Sequence, residues 1–142
     1  MIQIITETID IQEVIKSVND PAAGGIDVFI GTTRNRSNNK EVRFLEYEAY
    51  ESMALKTLQQ IVDDVQTKWN ICKVSVVHRI GRVELGEASI VIAVSSVHRK
   101  EAFEACRYVI DTIKMTTPIW KKEFFADGGV WVGSPSSDER RE

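Results

Sequence analysis

Ten residues, Ala88 to Val97 (ASIVIAVSSV), form the most apolar run of the chain, and an amphipathic helix pattern follows them without a break. The run reads as a strand. In the helix pattern Phe103, Cys106, Ile110 and Ile113 recur at i, i+3, i+7 and i+10, and Ala102, Ala105 and Val109 widen the stripe. Ser95 or Ser96 is placed to cap this helix, and Thr116, Thr117 and Pro118 stop it. Its first turn breaks a local rule. His98, Arg99 and Lys100 stand where the helix dipole disfavours cations by roughly a few tenths of a kcal/mol each. Such breaks concentrate at functional sites. Backbone N–H groups together with His98 and Arg99 suit an anion. Lys114 near the helix end, then Lys121 and Lys122 beyond Pro118, extend the basic character. The stretch Ser95 to Glu123 is therefore expected to hold a small anionic ligand.

The rest of the chain supplies a scaffold around it. Met1 to Thr6 reads as a short strand, and Asp10 with Glu13 as a capping pair for a helix through Val18. Ile26 to Ile30 (IDVFI) reads as a buried strand. Gly31 to Lys40 is polar and basic, and reads as a long loop of the kind that carries function. Val42 to Tyr50 is a strand pattern. Glu51 to Trp69 is a helix pattern with Leu55, Leu58, Ile61, Val62 and Val65 on one face. Cys72 to Ile80 alternates as a strand, and Gly81 and Gly86 bracket the residues between. Ile119 to Phe125 and Gly129 to Val132 read as a terminal hairpin over Ala126-Asp127-Gly128. From residue 26 to 125 the order is strand, strand, helix, strand, strand, helix, strand. That predicts an α+β fold with helices on a largely antiparallel sheet, in ferredoxin-like order. Residues 1–133 form a single domain, and 134–142 (SPSSDERRE) a polar tail expected to be disordered.

Charge and composition narrow the function. A net charge of −3 argues against nonspecific nucleic-acid binding, which needs a basic face. The basic cluster thus points to a discrete anion. No apolar run approaches the roughly 20 residues of a membrane span, and the acidic start does not resemble a signal peptide. Cys72 and Cys106 lie far apart without a CxxC, which fits a reduced, cytoplasmic protein. No zinc-ligand spacing or glycine-rich phosphate loop is present, so neither a metal nor a cofactor is expected.

Each candidate also has an ordinary reading. His98 and Arg99 also read as a solvated helix start, with His98 capping a carbonyl. Lys114 near a helix C-terminus is favourable to the dipole without any further role. If buried against Lys121 or Arg99, it would instead become a usable base or nucleophile. Lys121 and Lys122 alternate on a strand, so only one faces a pocket, Lys121 with Ile119 or Lys122 with Trp120. Arg34 and Arg36 sit in a loop at a strand end, where ligands bind. His78 reads as a hydrogen-bonded strand histidine. Cys72 and Cys106 read as small packed hydrophobes.

Several stretches taken together resemble the catalytic (large) subunit family of molybdopterin synthase. They are Phe29-Ile30-Gly31-Thr32-Thr33-Arg34-Asn35, Leu45-Glu46-Tyr47-Glu48-Ala49-Tyr50, His78-Arg79-Ile80-Gly81, His98-Arg99-Lys100-Glu101-Ala102-Phe103, and Lys114 with Pro118-Ile119-Trp120-Lys121-Lys122-Glu123. The resemblance runs from about Gly25 to Val132. It implies an α/β hammerhead fold with added strands. It also implies a sulfurtransferase of molybdenum cofactor biosynthesis, which converts cyclic pyranopterin monophosphate to molybdopterin. Two sulfurs would come from the C-terminal thiocarboxylate of a small ubiquitin-like sulfur-carrier subunit. Two catalytic subunits would form a homodimer at the centre of a heterotetramer. By position, the substrate site would comprise Thr32, Thr33, Arg34, His98, Arg99, Lys114, Lys121, Lys122 and Glu123. Lys114 and Lys121 would be catalytic, and Cys72 and Cys106 would play no part. One departure stands out. The family's arginine after the terminal hairpin is replaced by Gly133-Ser134-Pro135, with Arg140 and Arg141 further along the tail. A non-catalytic ferredoxin-like module binding an anionic effector is the alternative, and a structural subunit with a degraded site is a third reading.

Overall fold

The computed structural model describes residues 1–133. The elements, in order, are β1 (Ile2–Ile5), α1 (Ile11–Ser17), β2 (Gly25–Thr32), β3 (Arg36–Ser37), β4 (Lys40–Ala49), α2 (Glu51–Lys68), β5 (Lys73–Arg79), β6 (Gly81–Glu84), β7 (Ala88–Ser96), α3 (Arg99–Thr116), β8 (Ile119–Phe125) and β9 (Val130–Gly133). They build two sheets. One has the order β1-β5-β7-β2, and the other runs β3-β4-β8-β9 with β6 also on β4. Every pairing is antiparallel except β1 with β5. The α+β expectation holds, and the sheet is divided in two rather than continuous.

The apolar run of β7 has a direct cause: the strand is central and both its faces are covered. Ile90, Ile92 and Val94 pack with Val74 and Val76 of β5 against Leu58, Ile61, Val62 and Val65 of α2 and Ala102, Ala105, Cys106, Val109 and Ile113 of α3. The opposite face, Val91 and Ala93 with Val77, packs on Val14 and Val18 of α1. Alternation therefore disappears from a strand that still obeys a period of two. The second sheet has its own small core of Val42, Leu45 and Phe125, with Tyr47 and Trp131 against it. At α1 the Glu13 N–H donates to Asp10 Oδ1 at 3.1 Å, as the capping pair requires.

Five local expectations fail. The predicted ten-residue loop, Gly31 to Lys40, is half strand, interrupted at Thr33 to Asn35 and at Asn38-Asn39. β2 runs to Thr32, and β3 turns into β4 over Asn38 and Asn39, which hold φ of 51° and 61°. Asparagine tolerates that left-handed backbone, which makes the two-residue hairpin turn possible. The expected buried strand at Ile26 to Ile30 is an edge strand, with Ile26, Phe29 and Ile30 each about two-fifths exposed. Neither Ser95 nor Ser96 caps α3. The cap position is His98, and Ser96 Oγ instead donates to the His98 carbonyl. Leu55 and Phe103 fit their helical stripes yet are exposed, Phe103 beside Val28 and Phe29 of the edge strand β2. Finally, Gly81 to Glu84 is a strand, β6, where only a bracketed connection was expected.

Candidate functional site

The two sheets meet over the end of α3, and the seam opens into a cavity of about 350 Å³. Its wall includes Thr32 at the end of β2 and Arg34 just beyond it, Lys114 and Thr117 at the end of α3, and Lys121 and Glu123 on β8. Strand register explains how β8 contributes. Tyr47 of β4 pairs with Lys121, and Leu45 with Glu123. Side chains two apart share a face, so Leu45, Tyr47, Lys121 and Glu123 line the cavity together. Lys122 lies on the other face, where its Nζ is 3.0 Å from Glu48 Oε1. The hydrogen bond to Glu48 and the charge beside it raise the Lys122 pKa. Of the two lysines, Lys121 faces the cavity with Ile119.

A bulge between Gly31 and Thr32 positions the loop side. Gly31 sits so close to β7 that a Cβ would meet Ile90 Cγ2 at 2.7 Å, so glycine permits the approach. The shift in register there turns the chain and directs Thr32 and Arg34, both exposed, to the rim. Thr33 points elsewhere: it is 4% exposed, and its Oγ1 is buried without a hydrogen-bond partner. Arg36 donates to the Asn39 carbonyl across its own hairpin and is not in the cavity wall. Glu123 is 4% exposed and accepts from Ser37 Oγ at 3.1 Å, which ties the β3–β4 hairpin to the cavity floor.

Not all the candidates converge. His98 and Arg99 open α3, whereas Lys114 lies in its last turn. Fifteen residues of α-helix separate Arg99 from Lys114, a rise of about 23 Å. Both His98 and Arg99 are exposed, and neither lines the cavity. One chain thus carries two basic clusters, Arg34 with Lys114 and Lys121 at one end of α3 and His98 with Arg99 at the other.

Residues with an ordinary structural reading in the sequence also join the cavity. His78 of β5 is 6% exposed and lines it, with the Tyr47 ring edge-on at 5.1 Å. Burial lowers the His78 pKa to about 4, and its bond to the Arg79 carbonyl only partly opposes this, so the ring is neutral at neutral pH. Thr117 is 0% exposed, and its Oγ1 has no hydrogen-bond partner. A buried hydroxyl in that state costs on the order of 1–3 kcal/mol, which a bound group can offset. Gly133 closes the rim opposite Lys121. The residues at the family arginine's place beyond it, and Arg140 and Arg141, lie outside those the structure describes. Alternation and spacing could not have found His78, Tyr47 or Thr117, because facing a cavity depends on how the two sheets meet.

Cys106 is 2% exposed on the inner face of α3, and burial pushes its thiol up to about 12, with the Asp27 carboxylate adding to the shift. It stays protonated and packs as a small hydrophobe. Among the described residues no group of three or more His, Cys, Asp or Glu is placed to hold a metal ion. No helix there is long and apolar enough to cross a membrane.

Comparison with known proteins gives a consistent result. A family model described as MoaE protein matches residues 4–116. The molybdopterin synthase catalytic subunit of Bacillus subtilis is 49% identical over 130 residues, 91% of this chain and 83% of that protein. The human molybdopterin synthase catalytic subunit is 44% identical over 94% of this chain and 71% of its own. Among solved structures, molybdopterin synthase from Staphylococcus aureus superposes with a TM-score of 0.87 at 39% identity, covering 92% of this chain and 95% of that one. A complex of subunits 1 and 2 of the molybdopterin-converting factor from Helicobacter pylori shares the fold, with a TM-score of 0.74 at 23% identity, 89% of this chain and 86% of that one.

Proposed function

We propose, from the premise that this chain belongs to the MoaE family of molybdopterin synthase catalytic subunits, that its cavity converts cyclic pyranopterin monophosphate to molybdopterin. The sulfur donor is the C-terminal thiocarboxylate of a small ubiquitin-like carrier. The observation that carries this reading is the convergence of Arg34, Lys114 and Lys121 on one cavity whose wall also includes apolar side chains such as Phe29, Ile90 and Ile113. A flat heterocycle suits the apolar part, and its cyclic phosphate suits the cations.

Each of two transfers forms one carbon–sulfur bond and leaves the carrier's acyl group to be taken by water, so that the tail ends as a carboxylate. Opening of the cyclic phosphate leaves a terminal phosphate monoester. Negative charge grows on the phosphate and on oxygen leaving the attacked carbons. Lys114 and Lys121 stand where they can donate protons to it and stabilise it. Arg34 at the rim holds the phosphate by paired N–H donors. Glu123, held by Ser37, accepts from the substrate or orients the lysine two residues before it. The partner inferred here matches the two-subunit assembly named for the Helicobacter pylori relative.

The far position of His98 and Arg99 favours a homodimer, and so two carriers in a heterotetramer. Edge strand β2 runs alongside α3, from Gly25 beside Arg99 to Thr32 at the cavity. Eight residues of strand span about 26 Å, close to the rise between the two basic clusters. A two-fold axis across the middle of β2 therefore sets the Arg99 end of one copy beside the cavity of the other. Ile26, Phe29, Ile30, Val97 and Phe103 are exposed along this flank and give such an interface apolar area.

The test mixes the protein with a thiocarboxylated carrier and cyclic pyranopterin monophosphate. Appearance of the dithiolene product is expected, and its absence would overturn the assignment. In the same assay a double Cys72→Ser, Cys106→Ser variant should retain sulfur transfer, since the sulfur arrives on the carrier. A folded variant that has lost turnover would contradict that route.

A further inference from the structure

Every cation of the cavity donates hydrogen bonds and none accepts. A pterin ring edge carries N–H and NH2 donors, which need acceptors when buried. Two uncharged groups of the cavity wall have capacity to spare. The His78 ring places Nδ1 2.8 Å from the Arg79 carbonyl oxygen. A carbonyl only accepts, so Nδ1 carries the proton, and Nε2 is left with the lone pair. The Tyr47 ring, edge-on at 72°, holds the imidazole in place beside the row that contains Lys121. Thr117, whose Oγ1 is buried and without a partner, belongs to the same wall.

We propose that His78 Nε2 and Thr117 Oγ1 form an uncharged polar subsite that accepts hydrogen bonds from the N–H edge of the bound pterin, while Arg34, Lys114 and Lys121 take its phosphate. This rests on the pterin-precursor reading of the cavity. A division of that kind fixes the ring's direction in the pocket. The phosphate end and the N–H end cannot be exchanged without setting donors against cations.

Two substitutions at His78 separate the two ring nitrogens. Glutamine can place its amide oxygen near Nε2, so it keeps an acceptor for the ligand. Asparagine can place its NH2 near Nδ1, so it keeps only the internal bond to Arg79. Binding is measured by calorimetry with cyclic pyranopterin monophosphate and with inorganic phosphate. His78→Asn is expected to bind the precursor about tenfold more weakly, the equivalent of one good hydrogen bond. His78→Gln should recover most of that affinity, and phosphate binding should be unchanged in both. Thr117→Val deletes an unpartnered hydroxyl and so keeps the fold. It should lose about threefold or more in precursor affinity, and it decides the matter if His78→Asn fails to fold. The inference is overturned, with the assigned reaction intact, if wild type binds the precursor while His78→Asn or Thr117→Val binds it equally well. It is overturned likewise if glutamine does no better than asparagine, the mark of a purely structural Nδ1 contact. Wild-type protein that shows no affinity for the precursor would sink the inference and the assigned reaction together.

Discussion

Lys114→Ala should slow conversion of the precursor by roughly a hundred- to a thousandfold, the usual effect of losing a proton donor or a group that stabilises developing charge. The fold should survive. Lys114 is half-buried in the last turn of α3, and the substitution removes no part of the hydrophobic core. Alanine is the best helix former, which offsets the few tenths of a kcal/mol lost when a cation leaves the helix C-terminus. The precursor should still bind, because Arg34 and Lys121 remain in the cavity wall. Single-turnover conversion with a thiocarboxylated carrier, beside a binding isotherm for the precursor, reads both quantities. Lys114→Arg divides the lysine's possible roles. Arginine keeps the charge but does not give up its proton. Partial rescue by arginine would mark an electrostatic role, and none would mark proton transfer. A non-catalytic module behaves differently: its wild type binds the anion and forms no product, so the same pair of measurements rejects one of the two readings.

Mixing two inactive proteins should restore activity. Take Lys114→Ala and Arg99→Ala, each dead or nearly so alone in the two-fold assembly inferred above. After exchange of subunits, half the dimers are mixed, and each mixed dimer carries one cavity with an intact Lys114 and an intact Arg99. About a quarter of wild-type turnover is therefore expected at full exchange. If Arg99 served the cavity of its own chain, each mixed dimer would hold two damaged sites, and nothing would be regained. The result is decisive because α3 is a rigid helix, and the roughly 23 Å between its two basic ends cannot be closed within one protomer by side-chain motion.

The sequence was legible where one local rule decides the outcome. The α2 and α3 stripes, the Asp10 cap and the terminal hairpin follow from periodicity and turn chemistry. The pairing of Lys121 with Ile119 and of Lys122 with Trp120 follows from strand alternation, although which pair faces inward does not. It was misleading where burial depends on a neighbour. Ile26, Phe29 and Ile30 look like core residues, but they lie at the edge of a sheet. Gly31 to Lys40 looks like a loop, since a polar strand pair on a sheet's rim has no apolar alternation to betray it. His98 and Arg99 are legible as an oddity of helix chemistry, but their distance from Lys114 becomes evident only once both are set on one helix.

The Ala88 to Lys114 stretch determines much by itself. An apolar strand running straight into an amphipathic helix requires a layered α/β core, and basic residues at both ends of the helix mark it for anions. Only the tertiary structure decided which end holds the cavity. Facing across β4 and β8 gathers Leu45, Tyr47, Lys121 and Glu123, the junction of the two sheets adds His78 and Thr117, and a bulge at Gly31 turns Arg34 to the rim. The reason is physical. Periodicity records which face of an element is apolar, whereas a pocket is a gap between elements, set by how two sheets pack and by where each one ends.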